Sequence, residues 1–226
     1  MLFRSPSPDT DIEETLSALT DLMRVGKVRA IGSSTFPASE IVEAQWVAER
    51  RGLARFRAEQ PPYSILTRGI EREVLPVCQR YGMGTLIWSP LAMGMLTGRY
   101  RKGQEMPDSL RARHFPRQMS DVRSLDAVEE LISLAESAGL TLTHMAMAFS
   151  VAHPGVTSAI LGPRTMEHLD DLLAGSEAGL TDEVLDRIDE IVPPGTDTLP
   201  LEANYNPPAI AQANLRRRSG AERAAV

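Results

Sequence analysis

The chain reads as an α/β protein of parallel strands joined by crossover helices, and three observations predict this. Short apolar runs bounded by glycine or proline alternate with longer stretches of helical periodicity, the grammar of repeated βα units. Strands linked in this way pair in parallel through right-handed crossovers. Polar, small and aromatic residues gather where the strands end: Ser33-Ser34-Thr35, Glu59-Gln60 with Tyr63, Trp88-Ser89, and Gly162 with Arg164. In parallel α/β folds that carboxyl end is the working face. Periodicity alone leaves the sheet either open or closed into a barrel.

The elements follow in order. Thr10 is placed to cap a helix over 11–25 that carries Ile12, Leu16, Leu19, Leu22 and Met23 on one face and stops at Gly26. Val28 to Ser33 reads as a strand, Pro37 to Arg51 as a helix closed by Gly52, and Arg55 to Gln60 as a less apolar strand. Gly69 to Tyr81 reads as a helix and Gly84 to Ser89 as a strand. Leu91 to Val122, rich in Gly, Pro, Arg and Met, reads as a long loop. Helices over Arg123–Ala138 and Thr143–Ala152 lead to a strand ending at Leu161, a helix over Thr165–Ala174 and a last helix over Thr181–Val192. Residues 1–199 are expected to form one domain. Residues 200–226, with the run Arg216-Arg217-Arg218 and little apolar periodicity, are expected to be a disordered tail.

Composition excludes several classes. With 226 residues, 42% of them hydrophobic, one domain of this size would bury roughly 70% of its unfolded surface. A net charge of −6 with acids and bases interspersed points away from nucleic acid and anionic membranes. The single cysteine, Cys78, allows no internal disulfide and no cysteine zinc cage. It sits in a helical apolar pattern, which fits a buried structural thiol better than a nucleophile. No apolar run reaches the roughly 20 residues of a membrane span and no signal-peptide core opens the chain, so a cytoplasmic location is expected.

Ser158-Ala159-Ile160-Leu161-Gly162-Pro163-Arg164-Thr165 is the most informative stretch. An apolar run stops at a glycine, and an arginine and a threonine then open an amphipathic helix. Such a turn offers an anion free backbone N–H groups, the positive end of the helix dipole and a planar guanidinium. An ordinary strand-to-helix turn capped by Thr165 accounts for the same residues. At the other strand ends, Gln60 can offer both N–H and C=O to a carboxamide, Ser34 can bond its other side and Trp88 can stack beneath a ring. Capping by the serines and a core position for Trp88 are the alternatives.

Together these residues resemble the aldo-keto reductases, a family of (β/α)8 barrels that reduce aldehydes and ketones with NADPH. The matching motifs are Gly32-Ser33-Ser34-Thr35-Phe36, Glu59-Gln60-Pro61-Pro62-Tyr63-Ser64, Trp88-Ser89-Pro90-Leu91-Ala92-Met93-Gly94-Met95-Leu96-Thr97-Gly98-Arg99-Tyr100 and Ile160-Leu161-Gly162-Pro163-Arg164-Thr165. The resemblance spans about Pro6 to Pro193. It implies that Ser34 and Gln60 hold the nicotinamide carboxamide and that Trp88 stacks on its ring. It further implies that Ser89, Leu91 and Gly94 line the pyrophosphate loop, while Arg164, His168 and Asp171 approach the adenosine 2′-phosphate and adenine; Gly162 joins the candidates because its missing side chain leaves the turn open to an anion. Leu172 stands where many relatives carry an asparagine.

The family's catalytic aspartate, tyrosine, lysine and histidine have no counterparts in that correspondence, which begins at the end of the fourth barrel strand with Arg4 or its neighbours at the histidine position. The chain has two lysines, Lys27 and Lys102, and four histidines, His114, His144, His153 and His168. Neither lysine suits a tetrad, Tyr63 has no lysine partner in the pattern, and each histidine is read as solvent-facing or core. The expectation is an N-terminally truncated barrel portion, about its second half, that holds the cofactor and is catalytically incompetent alone. Exposed sheet edges would favour self-association or a partner. The alternative is a non-catalytic NADPH-binding or protein-interaction module. No metal is expected, and the carbonyl substrate is not legible.

Overall fold

A computed structural model describes residues 1–7, 9–199 and 207–215. The chain divides into two compact units, one comprising Met1–Glu59 with the C-terminal residues and the other Gln60–Leu201.

In the first unit β1 (Leu2–Arg4) runs parallel to β2 (Gly32–Ser34), with Leu2 opposite Gly32 and Arg4 opposite Ser34. β3 (Ala58–Gln60) lies beside β2, and the second unit begins at its last residue. Gly32 is required where it stands: a Cβ there would lie 2.6 Å from the Ala58 carbonyl oxygen and 2.8 Å from Leu2 Cδ2. Helix α1 (Ile12–Arg24) is capped by Asp11, not by Thr10 as the sequence suggested; the carboxylate accepts the Glu13 N–H at 2.8 Å. An ionised acceptor at the positive helix end outcompetes the neighbouring hydroxyl. Helix α2 (Ala38–Arg51) ends on Gly52, whose left-handed backbone (φ 66°) a side chain would resist. Leu16 and Leu19 from α1, Ile41, Ala44 and Ala48 from α2, and the edge-to-face pair Phe36–Phe56 make the core. Two buried polar groups tie the connections down. Thr20 Oγ1 accepts the Ala54 N–H at 2.9 Å, and Gln45 Nε2 donates to the Phe56 carbonyl at 2.9 Å.

In the second unit the predicted helix over 69–81 is a 3-10 turn (Gly69–Glu71) followed by α3 (Val74–Arg80). The break has a tertiary cause: Gly69 N–H donates to Asp197 at 2.7 Å and Arg68 donates to the Val192 carbonyl at 2.7 Å, so the start of the segment is committed to the unit's C-terminal strap. Strand β4 (Gly84–Ile87) leads into Leu91–Val122, which is not a bare loop. It folds as a 3-10 segment (Ala92–Thr97), α4 (Leu110–His114) and α5 (Pro116–Met119), elements too short for periodicity to reveal. Helices α6 (Val122–Ser137) and α7 (Leu142–Ala152) follow, then β5 (Ser158–Ala159), α8 (Met166–Glu177) and α9 (Asp182–Ile191). β5 is parallel to β4, with Ile87 opposite Ala159. Asp121, Thr141, Thr165 and Thr181 cap these four helices by the same bond, a side-chain oxygen accepting an N–H three residues on. The core runs from Ile87 and Leu96 through Met119, Leu131 and Met145 to Phe149 and Ile188. The four predicted strands are shorter than expected and β1 was not among them; the alternation of parallel strands and helices is as predicted. Cys78 is fully buried.

A buried polar network lies beside this core. Glu71 Oε1 accepts from the Tyr63 hydroxyl at 2.7 Å and from Arg68 Nε at 2.9 Å, and its Oε2 accepts the Gly195 N–H at 2.9 Å. Arg68 also donates to Asp189 at 2.7 Å and lies over the Phe149 ring. Burial pushes the Tyr63 phenol well above its ordinary value, and the bond to Glu71 adds to this. Tyr63 thus ties its turn to the buried network through the hydrogen bond its hydroxyl donates to Glu71.

His153 sits edge-on to Tyr63, and its Nδ1 accepts the Gly155 N–H at 2.9 Å, a bond only the neutral ring can accept. Burial lowers its pKa below the ordinary 6.5, Glu71 raises it and Arg68 lowers it further. The unfolded chain then binds more protons between the two values, so stability is present above 6.5 and is lost as pH falls through the folded value. Thermal unfolding at pH 7.5 and 5.5 should show this loss, and His153→Gln should shrink it; an unchanged difference would assign it to other groups.

Of the expected tail, residues 207–215 are described and carry α10 (Pro208–Ala211) and a 3-10 turn (Ala213–Leu215); Arg216–Arg218 lie outside the described residues. Among the described residues no helix is long and apolar enough to cross a membrane.

Candidate functional site

Two turns at the carboxyl ends of β4 and β5 build the site, both within the second unit. In the first, Trp88 is half-buried and its backbone is pinned: its N–H donates to the Pro61 carbonyl at 3.0 Å and its carbonyl accepts the Tyr63 N–H at 3.2 Å. Ser89 (φ 61°), Ala92 (φ 48°) and Met93 (φ 59°) all occupy the left-handed region, at a cost on the order of 1 kcal/mol each or more. Burial of Ala92, Met95 and Leu96 holds them there, and Ser89 Oγ accepts the Met93 N–H at 2.9 Å. Strain of this kind concentrates at ligand clamps. In the second turn Ile160 N–H bonds to the Ile87 carbonyl at 2.8 Å, after which Gly162-Pro163-Arg164 delivers the chain to Thr165, the cap of α8. A Cβ on Gly162 would meet nothing within 4 Å; the glycine faces open space.

Between the turns lies a cavity of about 850 Å³, within the roughly 300–1,000 Å³ usual for cofactor and small-ligand sites. Four arginines line it, and their pairing separates them. Arg113 forks onto Asp108 at 2.8 and 2.7 Å. Among the described residues Arg99, Arg111 and Arg164 make no ion pair. Arg111 lies over Gly94 (φ 98°): a Cβ on that glycine would be 3.3 Å from its Nη1. The segment carrying Arg99, Arg111 and Arg113 is anchored at several points. Arg101 forks onto Glu129 at 2.8 and 2.6 Å, Lys102 pairs with Asp126, and the Tyr100 and Ser109 hydroxyls are 2.9 Å apart. The Arg101 fork holds the Glu129 carboxyl below the usual range. Three unpaired guanidiniums converging on one concavity, beside a helix N-terminus, attract a polyanion.

The structure thus brings Leu91, Gly94, Gly162, Arg164, His168 and Asp171 to one cavity. Trp88 and Ser89 stand at the root of its first turn, Gln60 ends β3, and Ser34 belongs to the first unit. Sequence reasoning missed Arg99 and Arg111, although Arg99 stood inside a quoted motif and the arginine density of 91–122 was visible. His144 is partly exposed, and its Nε2 meets Asp171 Oδ1 at 2.8 Å. His114 bonds to the Leu110 carbonyl on the exposed face of α4, and exposed His168 lines the cavity. Arg4 lies in β1, and its side chain is outside those described. No group of described residues could hold a metal.

Strand order and parallel pairing define a protein of (β/α) type with an arginine-lined cavity at the strand ends. The family model for the aldo/keto reductases matches residues 1–193, and the chain belongs to that family. It is 34% identical over 88% of its length to a Schizosaccharomyces pombe protein assigned by its name to the voltage-gated potassium channel beta subunits. It is 35% identical over 84% to the oxidoreductase YrpG of Bacillus subtilis, and 31% identical over 80% to versiconal hemiacetal acetate reductase of Aspergillus parasiticus. The chain spans 59%, 57% and 53% of these relatives' own lengths.

Proposed function

We propose that this chain is the cofactor-holding portion of an NADP(H)-dependent aldo/keto reductase, and that alone it does not reduce carbonyls. The observation that carries the reading is the convergence of Arg99, Arg111 and Arg164 on one cavity without carboxylate partners among the described residues. A dinucleotide phosphate brings a pyrophosphate and a 2′-phosphate, enough charge to engage all three. A Cβ on Gly94 would crowd Arg111 while Gly162 faces open space, and the dipole of the 12-residue α8 adds about 0.3–1 kcal/mol for an anion at its start. Trp88 offers its indole to the nicotinamide and Gln60 its amide to the carboxamide. When bound, the cofactor supplies hydride; the chain's own residues bind and orient it.

Protonation of a carbonyl oxygen needs an acid whose proton is free to leave, and Tyr63 and Tyr100 are both engaged. Tyr63 donates to Glu71, Tyr100 shares a bond with Ser109, and Lys102 pairs with Asp126. The second reading, a non-catalytic NADPH-binding partner of another protein, draws on the same engaged groups and on the relative named for a channel beta subunit.

Titration of the purified chain with NADPH should quench tryptophan fluorescence saturably, with the signal lost in Trp88→Phe while exposed Trp46 contributes background. NADPH consumption with a reactive aldehyde would overturn the claim of incompetence, and absence of any saturable binding by the folded chain would overturn the cofactor claim.

A further inference from the structure

Two exposed surfaces of the second unit carry apolar side chains that the unit leaves uncovered, and their charges are opposite. On α8 the inner face is buried at Leu172 and Gly175, and the glycine brings the helix to backbone distance of α7: a Cβ there would lie 3.0 Å from His144 Cα. The outer face carries Met166 (69% exposed), Asp170, Leu173 (47% exposed) and Glu177. Their spacing of i, i+4, i+7 and i+11 makes one stripe along the helix. α8 holds four carboxylates and no lysine or arginine. Asp171 pairs with His144, whereas Glu167, Asp170 and Glu177 make no ion pair among the described residues. Glu177 ends the helix, where the negative end of the dipole disfavours a carboxylate. The stability of α8 therefore does not account for it.

The second surface is the outer side of α4 and α5. Ala112 packs against the core and Met119 is fully buried, whereas Met106, Leu110 (68% exposed) and Phe115 (40% exposed) stand in solvent. Residues 106–117 carry Arg111, Arg113 and Arg117 against one acid, Asp108, which Arg113 already engages. Arg117 is exposed, does not line the cavity and makes no ion pair among the described residues. In a chain of net charge −6 this segment is a basic island. Methionine, phenylalanine and arginine together in solvent are the composition of an interface and not of ordinary surface.

We infer that the chain pairs with a second copy of itself through these surfaces, α8 of one protomer lying against α4 and α5 of the other. Both halves of the contact are present in every copy, so a two-fold axis satisfies them twice in one closed interface. Met166 and Leu173 meet Leu110 and Phe115, and the carboxylates of α8 meet the arginines. Apolar burial supplies the affinity, while charge complementarity sets which surfaces come together. A purely acidic or purely basic partner would cover one surface and leave the other bare. No bound dinucleotide is needed for this contact.

Sedimentation velocity on the full chain over a range of concentrations tests this. A dimer should form with rising concentration and weaken as salt rises. Arg117→Glu and Glu177→Arg should each weaken it by about tenfold or more, because each sets like charges together twice per dimer. An equimolar mixture of these two variants should recover it, since only the mixed pair places every altered charge opposite an unlike one. Leu173→Ser should weaken the dimer without changing its response to salt. All three sites are exposed, so far-ultraviolet circular dichroism should be unchanged in each variant. An unaltered chain that stays monomeric, a dimer that these substitutions leave intact, or folded charge variants that do not recover on mixing would each overturn the inference.

Discussion

Replacing Glu71 with alanine should destabilise the second unit by about 3–5 kcal/mol, the usual cost of removing one partner of a buried ion pair. Three donors lose their acceptor at once: the Tyr63 hydroxyl, Arg68 Nε and the Gly195 N–H. The guanidinium that remains is 6% exposed, so water cannot replace the carboxylate. Asp189 still accepts from Arg68, which places the effect at the lower end, about 3 kcal/mol, or roughly 6–12 °C in Tm for a chain of this size. Glu73→Ala, two residues away and exposed, should stay within about 0.5 kcal/mol. Equal shifts for the two variants in thermal unfolding would show that the network contributes nothing beyond surface charge.

Arg164→Ala should weaken NADPH binding by about tenfold or more while leaving NADH nearly unchanged, the loss expected when one charge-assisted contact to a phosphate disappears. Arg164 is exposed, follows Gly162-Pro163 into the cavity and pairs with no carboxylate among the described residues, so its charge is available to a ligand. Dissociation constants for both dinucleotides, measured at fixed ionic strength, check this. Equal loss for the two would mean that the arginine shapes the turn without reading the 2′-phosphate. Arg99 and Arg111 are expected to differ from it: they line the cavity on the segment after β4, Arg111 against Gly94, and their loss should weaken both dinucleotides alike.

How far the sequence could be read depended on the range of the interactions involved. Helices α1, α2 and α6 to α9 were legible to within a few residues, because a cap, an apolar stripe and a stop signal are local. Thr165 as cap and Gly52 as terminator need only their neighbours. The misplaced cap at Thr10 came from two adequate candidates side by side, and the bond to Glu13 decides for Asp11. The division of 69–81 into a turn and a helix was not legible, since what breaks it is a set of bonds to residues 192–197. The helices inside 91–122 were missed because four or five residues carry no period.

For the candidate site, the sequence by itself determined which turns matter. Glycine, hydroxyl and arginine types at strand ends fix local backbone shape and local charge, and Leu91, Gly94, Gly162, Arg164, His168 and Asp171 do line one cavity. What only the tertiary structure decided is which charges remain available. Arg113 looks equivalent to Arg111 in sequence, yet Asp108 neutralises it; Asp171 and His144 are 27 positions apart, yet they share a hydrogen bond. Tyr63 likewise carries a hydroxyl at a strand end, but burial against Glu71 removes it from chemistry. Residue type sets what a group can do, whereas its partners, brought together by folding across long stretches of chain, set what it is left to do.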